Sequence, residues 1–340
     1  MQTRLKPISE QVVVITGASS GIGLATARLA ARQGARLVLA ARSGGDLTQL
    51  VDELTRQGCQ AVSVEADVGD EAAVRRIAET AIARFAGFDT WVNNAGVSIY
   101  GPCLSVPLAD MRRLFDTNVW GVIHGSRIAC EQLVSRGGAL INVGSEVSDK
   151  AVPLQGAYSA SKHAVKGWTD ALRMELEQAR APVSVTLIKP GPIDTPYTLH
   201  AKNYLNDEPT HVPPVYTPQA VAEAIIHAAQ TPVRDLFVGG GARFVAAMDH
   251  WAPRLGDRAV GSMVSRGTHS GRPRTGGDAL YHAGGGLQER GDYDGIARRS
   301  LYTTAAMHPL TTGAMAIGAT LLLGTLMRGR DPRHGHYPQH

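Results

Sequence analysis

The chain has 340 residues, enough to bury a substantial core, of which about 240 suit a single α/β domain. Its net charge of +4 is uneven: residues 251–340 hold 11 arginines, no lysine and 6 acidic residues, a balance of +5, leaving −1 for residues 1–250. Without aromatic interleaving or a compact basic motif, this pattern argues against nucleic acid as a partner and marks a separate C-terminal region. Cys59, Cys103 and Cys130 are odd in number and far apart, with no metal-ligand spacing, so neither a disulfide framework nor a metal site is expected. The first ten residues are charged and lack an apolar core, so no secretory signal is expected and a reduced, cytoplasmic setting is.

In chain order, residues 12–15 (Val-Val-Val-Ile) form a short β-branched run of the kind found in buried parallel strands. The run leads into Thr16-Gly17-Ala18-Ser19-Ser20-Gly21-Ile22-Gly23. A helical pattern follows and ends at Gly34, with Leu24, Ala27, Leu29, Ala30 and Ala31 on its apolar side. Glycines let a backbone approach a pyrophosphate, and a helix start offers unpaired N–H groups and a positive dipole end. Strand signals recur at residues 36–40, 61–65, 90–93, 139–144, 183–189 and 235–238, and helical stretches at 70–85, 108–135, 157–179 and 218–230. The alternation predicts an α/β fold, a doubly wound parallel sheet with helices on both faces and a ligand crevice beyond the carboxyl ends of its strands.

Tyr158 and Lys162 are four residues apart and so share a helix face, 13 and 17 residues beyond Ser145. A neighbouring ammonium favours the phenolate, so Lys162 is expected to lower the Tyr158 pKa. Serving as acid or base at neutral pH requires about three units from the usual ~10, roughly 4 kcal/mol. The Ser145 hydroxyl would hold a carbonyl oxygen within reach of that phenol.

Together, residues 16–23, the pair Asp67-Val68, Asn93-Asn94-Ala95-Gly96, Asn118 within Thr-Asn-Val, Ser145 with Tyr158 and Lys162, and Pro190-Gly191-Pro192-Ile193-Asp194-Thr195 resemble the short-chain dehydrogenase/reductase family, over about residues 8–240. The resemblance implies a Rossmann-type catalytic domain over residues 1–241 that moves a hydride between a nicotinamide cofactor and a ketone or secondary alcohol. Tyr158 would then be general acid or base. Lys162 would tune it and hold the nicotinamide ribose, Ser145 would orient the substrate oxygen, and Asn118 would hold a water linking Lys162 to solvent. The same resemblance implies cofactor contacts from Gly17, Ser19, Ser20, Gly21, Ile22, Gly23, Asp67, Val68, Asn94, Ala95, Gly96, Tyr158, Lys162, Pro190, Gly191, Ile193 and Thr195. It also implies a homo-oligomer, dimer or tetramer. At the end of the second strand, Ala41 offers no acid to repel a 2′-phosphate and Arg42 offers a planar fork suited to one, so NADP is favoured over NAD.

Candidate substrate-pocket positions are Val97, Tyr100, Glu146, Val147, Leu154, Gln155 and Tyr197, followed by a flexible segment through Pro214; most are apolar, which suits a hydrophobic alcohol or ketone. Glu146 would read a polar substrate group or face solvent. Beyond residue 241, Phe244, Met248, Trp251 and Leu255 recur at helical spacing, predicting an amphipathic helix over residues 242–266. Residues 267–295 are rich in Gly and Arg and read as a flexible linker before a tail over residues 296–340. Within that tail, residues 309–327 carry no charge; as a helix they would rise about 28 Å, close to the ~30 Å hydrocarbon core. Membrane association, with the catalytic domain on the cytoplasmic side, is therefore expected, a helix docked on that domain being the alternative. A catalytically silent dinucleotide-binding sensor or scaffold is the competing functional class, disfavoured because a sensor needs no proton relay.

Overall fold

The protein, as a computed structural model, is described over residues 4–240, 253–274, 276–291, 293, 300–308 and 312. Seven parallel strands form one sheet: β1 (Val12–Thr16), β2 (Arg36–Ala41), β3 (Ala61–Glu65), β4 (Thr90–Asn93), β6 (Gly138–Val143), β7 (Val183–Pro190) and β9 (Asp235–Val238). Their spatial order is β3-β2-β1-β4-β6-β7-β9, so the winding reverses between β1 and β4 and opens the crevice there. Two-residue strands β5 (Ile99–Tyr100) and β8 (Lys202–Asn203) pair separately. β1, β4 and β7 are buried along their whole length, as expected of strands covered on both faces, whereas β3, at the sheet edge, is half-buried.

Helices α1 (Gly21–Arg32), α2 (Gly44–Arg56), α3 (Glu71–Phe85), α4 (Leu108–Phe115), α5 (Gly121–Arg136), α6 (Gly156–Gln178), the short α7 (Tyr197–His200) and α8 (Pro218–Gln230) follow in sequence. α3 is capped by Asp70, whose carboxylate accepts from the Ala72 N–H at 3.0 Å, and ends at Ala86 in the left-handed conformation. The helix predicted over residues 108–135 is interrupted by one π turn, Asp116–Trp120, which carries Asn118. Such turns insert a residue into the ladder and re-aim side chains, and they are frequent at functional sites. On one side of the sheet, Val14, Trp91, Leu140 and Val185 pack with Ile77 of α3 and Leu133 of α5.

Two expectations for the C-terminal region need correction. Helix α9 (Pro253–Gly267) begins within the predicted amphipathic helix and ends one residue beyond it, but Leu255 is 65% exposed while Gly256 and Val260 are buried. The apolar stripe drawn through Leu255 is therefore not the face that packs there; Phe244, Met248 and Trp251 lie outside the described residues. Residues 276–291, whose composition predicts a linker, are tied to the catalytic domain by hydrogen bonds, ion pairs and the fully buried Leu280. α10 (Leu301–Met307) follows, and the chain divides into a unit over residues 1–303 and another over residues 304–340. Among the described residues no helix is long and apolar enough to cross a membrane; the apolar segment 309–327, apart from Thr312, lies outside them.

Candidate active site

The glycine-rich turn leaves the end of β1 with Gly17 and Gly21 both in the left-handed region, at φ +67° and +52°. Gly23 faces the turn so closely that an added Cβ would lie 2.1 Å from the Gly17 carbonyl oxygen. Asn94 staples the turn to the end of β4: its Nδ2 donates to the Thr16 and Gly17 carbonyls at 2.9 and 3.2 Å. The Thr16 hydroxyl accepts from the Asn94 and Ala95 N–H groups. Asn93 points the other way, into a buried network in which its Nδ2 donates to Asn142 and Asn142 donates to Thr169.

A groove runs across these elements. Gly17, Ser19, Ser20, Gly21, Ile22, Arg42, Asp67, Val68, Asn94, Ala95, Gly96 and Thr195 line it, and Gly23 supports it from beneath. Asp67 accepts from the Gly69 N–H at 3.0 Å and pairs with Arg113; that hydrogen bonding outweighs burial and holds its carboxyl below the usual range. Arg42 donates its terminal nitrogens to the Ala279 and Leu280 carbonyls, and burial lowers its pKa.

An adjoining cavity shares Ile22, Asn94, Gly96, Thr195 and Tyr197 with the groove and is lined also by Ser145, Tyr158, Lys162, Pro190, Gly191 and Ile193. Ser145 leaves β6 in extended conformation and caps a single 3₁₀ turn, Glu146–Ser148: its Oγ accepts from the Val147 N–H at 3.3 Å while Ser148 Oγ accepts from the Ser145 N–H at 3.1 Å. This box fixes where Ser145 and Glu146 point. Tyr158 and Lys162 rise from the first turns of α6, and Tyr158 is hydrogen-bonded to both Ser145 and Tyr197. Lys162 Nζ donates to the Val143 carbonyl at 2.9 Å and lies 5.7 Å from the Tyr158 ring centroid.

The electrostatics depart from the expectation drawn from helix spacing. Burial pushes the Tyr158 pKa up against its hydrogen bonds to Tyr197 and Ser145, with the nearby Glu146 adding to the rise. Burial also brings Lys162 down to about 8, which leaves it mostly charged at neutral pH, yet the Tyr158 pKa is still raised. Burial likewise raises Glu146 to about 7. The protonated phenol is therefore the form this pocket holds at neutral pH.

Asn118 is fully buried behind the cavity. Its Nδ2 donates to the Val97 carbonyl at 2.9 Å and to Ser161 Oγ at 3.1 Å, and its Oδ1 accepts from the Val97 N–H at 2.8 Å. The amide thus spends both donors on the protein, leaving one Oδ1 lone pair for any water. Of the expected pocket positions, Val97 borders the groove and Glu146, Val147, Gln155 and Tyr197 line the cavity. Tyr100 and Leu154 do not; they pack beside it with Ala201 and Leu205. Sequence reasoning placed the segment through Pro214 at the pocket without singling out His211, and missed Tyr293. His211 stacks between Tyr197 and Tyr293 at 5.7 and 5.0 Å and completes an aromatic wall with Tyr158. Burial brings His211 down to about 4, so the wall is uncharged at neutral pH. No local pattern marks these residues, since the stack joins three segments distant in sequence.

Comparison with known proteins identifies the family and the fold. Residues 11–204 match the short chain dehydrogenase family. The uncharacterized oxidoreductase YxnA of Bacillus subtilis is 49% identical over 321 residues, covering 93% of this chain and 90% of YxnA, so the similarity extends well past residue 204. A short chain dehydrogenase/reductase from Burkholderia phymatum, solved in complex with NAD, superposes with a TM-score of 0.66 at 26% identity, covering 75% of this chain and 96% of that one. An alcohol dehydrogenase from the archaeon Thermococcus sibiricus, complexed with 5-hydroxy-NADP, gives 0.60 at 27% identity, covering 67% and 95%.

Proposed function

The chain belongs to the short-chain dehydrogenase family, and we propose that it is an NADP(H)-dependent oxidoreductase acting on a largely apolar ketone or secondary alcohol, with Tyr158 as general acid and base. One observation carries the reading: the Tyr158 phenol, hydrogen-bonded to Ser145 and flanked by Lys162, opens on a cavity continuous with the glycine-lined groove. The groove suits a dinucleotide. α1 begins without a side-chain cap and its Gly21 N–H is taken by the Gln288 carbonyl at 2.8 Å, so the next two N–H groups, of Ile22 and Gly23, are the ones that would receive a pyrophosphate, and Gly17 and Gly23 keep the turn free of side chains. The nicotinamide, when bound, supplies or accepts the hydride.

Within the chain, Ser145 Oγ and Tyr158 Oη hold the substrate oxygen between them. The phenol's raised pKa keeps its proton at neutral pH, which fits it to protonate a carbonyl oxygen as that oxygen gains charge. In the reverse direction the phenol must first lose its proton, so reduction should hold through neutral pH and alcohol oxidation should climb with pH. Lys162 and Asn118 Oδ1 border the same small space: a Cβ added at Gly96 would lie 3.8 Å from the Lys162 Nζ and 3.4 Å from Oδ1. A water there would return protons to Lys162. A screen of carbonyl and alcohol panels with both nicotinamides tests the reading; turnover of none would overturn it. Resemblance to the family supports a homo-oligomer.

Preference for NADP rests on Ala41 and Arg42. The Arg42 terminal nitrogens are shared with the Ala279 and Leu280 carbonyls, which orient the guanidinium at the groove. Titration should give a lower Kd for NADPH than for NADH, and Arg42→Ala should bring the two together. An unchanged ratio would mean that Arg42 does not read the phosphate.

Glu146 supports a narrower substrate class. Its carboxyl, set beside Ser145 by the rigid 3₁₀ turn, lines the cavity without a hydrogen-bond or ion-pair partner among the described residues. A hydroxyl on the substrate would satisfy it. Glu146→Leu should lower kcat/KM for a hydroxyketone by about ten-fold or more while sparing the matching plain ketone. Equal losses on both substrates would remove Glu146 from recognition.

A further inference from the structure

We infer that residues 276–291 and Tyr293, beyond the stretch matched to the family, form a strap that closes over the dinucleotide groove and is part of the cofactor site. The inference rests on reading the groove as a nicotinamide-dinucleotide site.

One end of the strap is anchored at the end of the groove where β2 and β3 finish. Leu280 is fully buried among Val97, Ile99, Val106 and Leu114. Its carbonyl accepts from Arg42 at 3.2 Å and from Arg113 at 3.1 Å, and Asp278 pairs with Lys202 at 2.9 Å. The middle crosses the start of α1, where the Gln288 carbonyl accepts from the Gly21 N–H at 2.8 Å and Glu289 pairs with Arg28 at 2.8 Å. The far end reaches the segment after β7: the Gly291 N–H donates to Asp194 at 3.1 Å and Tyr293 shares a 2.8 Å hydrogen bond with Thr198.

Between the anchors, Ala279, Ala283 and Gly284 line the groove together with Arg42, Asp67 and Thr195. A dinucleotide running from Asp67 to Thr195 therefore passes under the strap. Small side chains at these three positions leave width for it, and the backbone supplies the wall. Glycine is also required where the strap lies lowest: a Cβ on Gly291 would sit 2.5 Å from the Thr195 carbonyl oxygen. Bound cofactor is shielded from water there and leaves only when the strap lifts, so its release is gated by these contacts.

The test uses the full-length protein and NADPH alone. Gly291→Ala should prop the strap off Thr195, and Glu289→Ala should free it from Arg28. Each should weaken NADPH binding by about ten-fold or more, mainly through faster dissociation. In the wild type, NADPH should slow amide exchange over residues 279–288. Unchanged affinity and dissociation in both variants would overturn the inference. So would tighter binding in the variants with faster exchange in this segment on adding NADPH, since the strap would then compete with the cofactor. If Gly291→Ala fails to fold, Glu289→Ala and the wild-type exchange measurement still decide. Wild-type protein that binds neither NADPH nor NADH would instead refute the dinucleotide reading itself.

Discussion

Tyr158→Phe should leave the fold and NADPH binding intact and lower turnover by ~10²–10⁴, the range expected for loss of a general acid. The phenylalanine ring can keep the packing that Tyr158 makes against Tyr197, at 5.6 Å between centroids, and against Val97 and Leu114. What disappears is the hydroxyl that Ser145 and Tyr197 hold in place. Neither neighbour replaces it. Ser145 lacks an acidic enough proton, and burial raises the Tyr197 pKa well above its ordinary value. Steady-state kinetics on any substrate found, with NADPH titrations run in parallel, check the result. Activity within a few-fold of the wild type would remove Tyr158 from the chemistry.

Gly23→Ala should abolish most dinucleotide binding. The new methyl would lie 2.1 Å from the Gly17 carbonyl oxygen and 2.6 Å from Asn94 Nδ2, the two atoms that close the turn against β4. Neither is the loose end of a flexible side chain, so relief requires the turn itself to move. Overpacking of this kind costs about 1–3 kcal/mol of stability. The larger loss falls on binding, because displacing Gly17 also displaces the start of α1. Thermal melts with and without NADPH separate the two effects: the variant should melt somewhat lower and lose the shift that NADPH gives the wild type. A variant that keeps the full shift would mean that the turn does not hold the pyrophosphate.

The sheet was legible because its determinants are local. Runs such as Val12-Val13-Val14-Ile15 announce a strand buried on both faces, and the turn after β1 needs glycine for reasons visible in its spacing. Tyr158, Lys162 and Ser145 could be brought together on paper because one helix and one strand end carry them. The direction of the Tyr158 pKa could not be read in the same way. Helix spacing places the ammonium near the ring, but burial of both groups depends on the walls that Tyr197 and the β6 end supply. The strap was misread for a related reason. Its glycines look like those of a linker, whereas Gly291 is there to let backbone meet backbone, and its ties join Arg42 to Leu280 and Gly21 to Gln288 across the length of the domain. No periodicity records such contacts.

Transfer of deuterium from NADPH labelled on its nicotinamide ring, followed in the product of a ketone reduced by the full-length wild-type protein, tests the proposed chemistry most directly. The expected result is one deuterium on the carbinol carbon of the alcohol, formed through neutral pH and suppressed in Tyr158→Phe. Label that stays on the cofactor, with no alcohol formed from any ketone or from NADH in its place, would contradict the assignment of this site to hydride transfer.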